Sequence, residues 1–182
     1  MKKRILWITQ TAVMLAVLIA LQAVTRPAGQ FVTGSCVNLV LALTVLAVGF
    51  WNGLTVALLS PFFAVLFGIG GIPPVVPMMA LGNAVYISLL YLLCRKPLAK
   101  RTFAGYALAT GGMALAAGAK TLTLYLGIVK LVLPLLAIPD PQRAALSLMF
   151  SWPQLVTASI GGALALLAAP LLWRALHPET VK

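Results

Sequence analysis

Acids are the scarcest chemistry in this 182-residue sequence: it holds two carboxylates, Asp140 and Glu179, and one histidine, His177. So small an inventory offers no paired carboxylates for general acid–base catalysis. A lone histidine in the polar tail excludes a histidine metal cluster and a histidine-assisted triad. No metal or organic cofactor is implied. With no acid inside an apolar run, the usual carboxylate proton relay is missing too. Cysteine is nearly as rare: Cys36 and Cys94 fall near opposite ends of their predicted helices, which disfavours a disulfide, and they lack metal-site spacing. No G-x-x-x-x-G-K-[ST] occurs, and Gly68-Ile69-Gly70-Gly71 lacks its lysine, so the chain hydrolyses no nucleotide itself. Charged residues make up only 8% of the sequence, far below the roughly 25% of soluble domains.

What is present is apolar: 62% of residues are hydrophobic and the mean hydropathy is +1.07. These figures predict an all-α integral membrane protein built as one domain over residues 1–182. The net charge of +11 does not point to nucleic acid, because the cations sit at the ends of apolar runs and no nucleic-acid module is visible. Runs bounded by Gly, Pro or charge give six transmembrane helices, at about 5–25, 31–50, 54–69, 75–94, 103–127 and 143–176. The first is too long for the apolar core of a usual cleaved signal peptide and is expected to stay. Trp51-Asn52-Gly53 reads as a tight hairpin link, Ser60-Pro61 as a break in the third run, and Gly68–Pro74 as a loop. Arg95-Lys96 with Lys100-Arg101 reads as a basic loop. Residues 128–142 read as an outer loop with an apolar cap, and Pro153 as an interruption of the last run. No internal repeat is seen.

Charge bias orients the bundle. With the N-terminus inside, nine cations (Lys2, Lys3, Arg4, Arg95, Lys96, Lys100, Arg101, Arg174 and Lys182) fall on the cytoplasmic side, against Arg26, Lys130 and Arg143 outside. That asymmetry and an even span count predict both termini in the cytoplasm.

Lys120 is the most informative residue. It lies 17 residues beyond Phe103 in the fifth run, about 25 Å along a helix axis and in the outer third of the membrane. A cation there costs up to about 2.5–3.5 kcal/mol on insertion scales. Two readings stay open: the side chain snorkels to the outer headgroups, or its counter-charge arrives with a ligand bearing a carboxylate or phosphate. Other polar groups fall at similar depth. They are Gln22, Arg26 and Gln30 around the first connector, Asn38 in the second run, Asn83 in the fourth, and Trp152 and Gln154 beside Pro153. Proline lacks an N–H, so Pro153 leaves the carbonyl of Met149 free as an acceptor. The inner halves are poorer in polar groups, which favours a cavity open to the outside over a continuous channel. Lys120, Asn83, Gln154, Trp152, Asn38, Gln30, Arg26 and Gln22 are therefore the candidate substrate-binding residues.

The first run carries a second signal. Ala12, Ala16 and Ala20 recur every four residues, on one helix face. In lipid such a small-residue strip lets another helix approach closely. It fits either packing within this bundle or docking of a different protein.

Six helices, a polar cluster toward one side, the A-x-x-x-A strip and the absence of an energy source together resemble the substrate-binding S component of energy-coupling-factor (ECF) vitamin transporters. The resemblance covers nearly the whole chain. It implies that Ala12, Ala16 and Ala20 dock on a partner transmembrane coupling subunit carrying two ATPase subunits. It implies a cavity near the outer surface, with contacts falling on Arg26 to Thr33, Asn83, Lys120 and Trp152 to Gln154, and Gly70–Pro74 as a further lid. It also implies a multi-pass protein of the bacterial cell membrane that is not itself an enzyme. No signature assigns the thiamine, riboflavin, biotin or folate branch. The alternative is another small polytopic transporter or membrane subunit without an ATPase partner. A membrane-bound enzyme is opposed by the empty inventory of acids and histidines.

Overall fold

The computed structural model describes residues 2–176; the positions expected for His177, Glu179 and Lys182 lie outside the described residues. All regular structure among the described residues is helical. Helix α1 spans Lys2–Thr25, and a 3-10 turn at Arg26–Ala28 leads through Gly29 into α2, Gln30–Leu43. A π turn at Thr44–Val48 extends α2 before α3, Phe50–Leu66. A loop and a 3-10 turn at Pro73–Val75 precede α4, Val76–Ala99. Helix α5, Phe103–Leu124, continues as a π segment to Val132 and a 3-10 turn at Leu133–Leu135. Helix α6 is Asp140–Met149 and α7 is Trp152–Leu176. Among the described residues five helical stretches are long and apolar enough to cross a membrane, and Phe50–Leu66 is a shorter apolar helix.

Several expected boundaries move, each for a local reason. The hairpin break falls at Gly49 rather than at Trp51-Asn52-Gly53. Gly49 takes φ 150°, a conformation open to glycine and strained for an L side chain. Trp51 to Gly53 instead form the first turn of α3, where Asn52 Nδ2 donates to Thr11 Oγ1 at 2.9 Å and to the Trp7 carbonyl at 3.2 Å, tying α3 to α1.

Ser60-Pro61 does not break α3. Pro61 has no N–H for the carbonyl four residues back, that of Ala57; Asn83 Nδ2 on α4 donates to that oxygen at 3.5 Å. Arg95 and Lys96 belong to α4, which runs through Pro97 to Ala99, so the connector shrinks to residues 100–102. There Thr102 caps α5, its Oγ1 accepting from the Gly105 N–H at 3.1 Å. The segment expected as a loop from residue 128 is helical through Leu135. The last run is two helices parted at Phe150 and Ser151. Helix α6 is short and amphipathic, with no fully buried residue.

The core is built by close backbone approach. Helix α2 packs along α7 and α4 along α5. A Cβ added at Gly161 of α7 would lie 2.6 Å from both the Ser35 carbonyl oxygen and the Leu39 nitrogen of α2. Only a residue without a side chain permits that approach, as expected of helices packed in lipid. Leu18, Leu41, Val45, Tyr86, Ile87 and Leu90 fill the centre. Helix α1 lies at the edge on α2 and α3. Its Ala12, Ala16 and Ala20 are exposed on the face turned away from the bundle.

Candidate functional site

At the end of the bundle carrying the α1–α2 connector, the 67–72 loop and α6, the helices part around a cleft of about 470 Å3. Its deepest groups are Lys120 of α5, Asn38 of α2, Asn83 of α4, Ser60 of α3 and Gln154 of α7, all buried. Apolar walls come from Pro61, Ala64, Met79, Leu124, Leu146, Met149 and Phe150. Gln22 and Gln30, half-buried, and Arg26, exposed, stand at the mouth. A volume of this size suits a small molecule.

Lys120 organises the floor. Its side chain is only 3% exposed, so it does not snorkel. Nζ donates to Asn38 Oδ1 at 2.6 Å and to Asn83 Oδ1 at 2.7 Å, and sits 5.2 Å from the centre of the Tyr86 ring. An ammonium only donates, so both amides must turn their oxygens toward it. Their nitrogens then serve the scaffold. Asn38 Nδ2 donates to the Gly34 carbonyl at 2.9 Å and to Thr157 Oγ1 at 3.3 Å, and Asn83 Nδ2 to Ala57. Tyr86 is fixed by its hydroxyl donating to the Ala158 carbonyl at 2.8 Å.

Counting donors shows what the floor still offers. An ammonium carries three N–H groups, and the two amides take two. Ser60 Oγ is buried with no hydrogen-bond partner among the described residues. Both Lys120 partners are neutral, and Asp140, the only carboxylate among the described residues, is exposed at the start of α6. Among the described residues Lys120 Nζ is thus held by amide dipoles, with no opposite charge beside it. Asn38 and Asn83 thus act on Lys120, holding it in place, rather than presenting free amides to the cleft.

The mouth is tied by backbone acceptors. Arg26 Nη1 donates to the Gly68 carbonyl at 2.7 Å and Gln22 Nε2 to that of Ile69 at 3.5 Å, so the end of α1 and the 3-10 turn after it hold the 67–72 loop across the opening. That loop is folded back on α3, with the Ile69 and Gly70 N–H groups both donating to the Ala64 carbonyl at 2.8 Å. Gln154 Nε2 donates to the Met149 carbonyl at 3.1 Å, taking up an acceptor left free where α6 ends; Pro153 sits in the first turn of α7, where no helical N–H bond is lost.

Seven of the eight residues singled out in the sequence line this cleft: Lys120, Asn83, Gln154, Asn38, Gln30, Arg26 and Gln22. Trp152 does not. It is 57% exposed and packs on Phe31 with ring centres 5.7 Å apart, on the outside of the bundle. A residue two before Gln154 points some 200° away round a helix, so both cannot face one cavity. Phe150 and Ser60, the latter read in the sequence only as part of a break, also line the cleft. Ser60 had a signal, since a polar residue beside a mid-helix proline in an apolar run needs a partner.

Apolar helices long enough to cross a membrane, packed round a cleft lined by buried polar groups, define a multi-pass α-helical membrane protein. A family model described as "ECF transporter, substrate-specific component" matches residues 10–173. The chain belongs to that family, whose members are substrate-binding membrane subunits of ECF transporters and not enzymes themselves. Membership also implies association with ECF membrane and ATPase components. No curated protein and no solved structure matches the chain.

Proposed function

We propose that this chain is the capture subunit of an ECF-type importer of the bacterial plasma membrane, binding a vitamin-like small molecule with an anionic group. In this reading six helices cross the membrane, both termini are cytoplasmic, and the cleft faces outside. The nine-to-three division of cations supports that orientation. The observation that carries the reading is Lys120, a buried ammonium at the base of a 470 Å3 cleft with neutral partners only. An anionic group on the substrate supplies the missing charge, accepting from Lys120 and from Ser60. The apolar walls cover its body, and Gln22, Gln30 and Gln154 meet its polar end. The 67–72 loop acts as a lid hinged on Arg26 and Gln22.

With Ala12, Ala16 and Ala20 exposed together, α1 offers a smooth strip to the partner coupling subunit, through which two ATPases drive reorientation of the loaded subunit. Native mass spectrometry of the purified protein tests the capture step. The expected result is a co-purified anionic small molecule that is lost from Lys120→Met; a neutral or cationic molecule, or equal retention by the variant, would overturn it.

A further inference from the structure

The opposite end of the bundle holds a second cleft, of about 440 Å3, between the ends of α2, α4 and α7. Its polar wall is made by Arg95 and Arg101, and its apolar wall by Leu46, Leu98, Pro170 and the ring of Trp173. Nothing in substrate capture uses it. We propose that this cleft binds the phosphodiester headgroup of an anionic membrane lipid, gripped by Arg95 and Arg101.

Two features go beyond what a topology signal requires. Arg95 is set in place: Nη1 donates to Tyr91 Oη at 2.6 Å, and the guanidinium lies 4.9 Å over the Tyr91 ring and 5.8 Å from that of Trp173. Both rings and the hydroxyl fix the plane of a fork suited to phosphate oxygens. Arg101 has φ 51°, the one positive φ among the described non-glycine residues. That left-handed residue ends α4 just past its C-cap Lys100, and its side chain lines the cleft opposite the α7 wall. Among the described residues the sole carboxylate, Asp140, lies at the other end of the bundle.

The apolar wall decides for a lipid over free phosphate. Pro170 and Trp173 belong to α7, and Leu167 and Leu171, which flank Pro170 on that helix, are each 68% exposed. An acyl chain descending from a headgroup in the cleft would lie on that stripe. Basic pockets between transmembrane helices hold anionic headgroups in this way.

The test is native mass spectrometry of the full chain from mixed phosphatidylglycerol and phosphatidylcholine micelles under graded delipidation. Preferential retention of phosphatidylglycerol is expected, falling about tenfold in Arg95→Gln. Arg101→Gly should lose it equally while melting no lower than the parent, because glycine suits φ 51°. Lys96→Gln, changed on the same helix outside the cleft, should leave retention unchanged. Equal retention of both lipids, or phosphatidylglycerol retention untouched in Arg95→Gln and Arg101→Gly, would overturn the site. Binding of inorganic phosphate with no preference between lipids would overturn the lipid assignment.

Discussion

Asn83→Asp separates binding of an anion from maintenance of the fold. The substitution exchanges one amide nitrogen for oxygen, with the side chain already 2.7 Å from Lys120 Nζ. It supplies internally the counter-charge that the ligand is inferred to bring. A unit-charge pair about 4 Å apart interacts by about 4 kcal/mol at an effective dielectric of 20. Part of that gain offsets the lost Asn83 Nδ2 bond to Ala57, a long contact at 3.5 Å. The variant should therefore fold and melt no lower than the parent. Its affinity for an anion should fall, because the ammonium is already neutralised and a second carboxylate would meet a like charge. Loss of one charge-assisted hydrogen bond, about 1.5–3 kcal/mol, corresponds to roughly 10- to 150-fold. The assay is a thermal melt in detergent beside titration with the anion identified from the parent protein. Undiminished affinity in a folded Asn83→Asp protein would refute the electrostatic reasoning.

Ser60→Ala removes a buried hydroxyl with no partner among the described residues, so stability should hold or rise while ligand affinity drops by about 1 kcal/mol; titration and melting together check it. Gly161→Leu drives a side chain into the Ser35 carbonyl and Leu39 nitrogen of α2 and should cost about 1–3 kcal/mol, read as a lowered melting temperature in detergent. Ala16→Trp fills the exposed strip on α1 and should abolish co-purification with the coupling and ATPase subunits while sparing ligand retention; an intact complex would count against docking there.

The floor of the site was legible because a lysine in an apolar run is expensive and must be explained. Asn38 and Asn83 stood out for the same reason. Their joint grip on Lys120 was not legible, since the three come together from 82 and 37 residues apart, and only packing decides which polar groups meet. Trp152 was misplaced because facing depends on helix rotation, which composition does not encode. Boundaries failed where geometry is irregular. The π turn at Thr44–Val48 carries α2 on to Gly49, and Pro61 stays within α3 because its freed carbonyl finds an amide on another helix. Pro61, read as a break, thus marks a carbonyl taken up by Asn83, and the end of α6 just before Pro153 leaves one taken up by Gln154, two residues of the cleft itself.

An experimental structure of the protein with its co-purified molecule bound is the most direct measurement. An anionic oxygen of that molecule should lie within about 3 Å of Lys120 Nζ, with Asn38 and Asn83 still holding the ammonium. A ligand seated in the cleft with a neutral or apolar group against Lys120, or seated elsewhere, would contradict the role given to that buried charge.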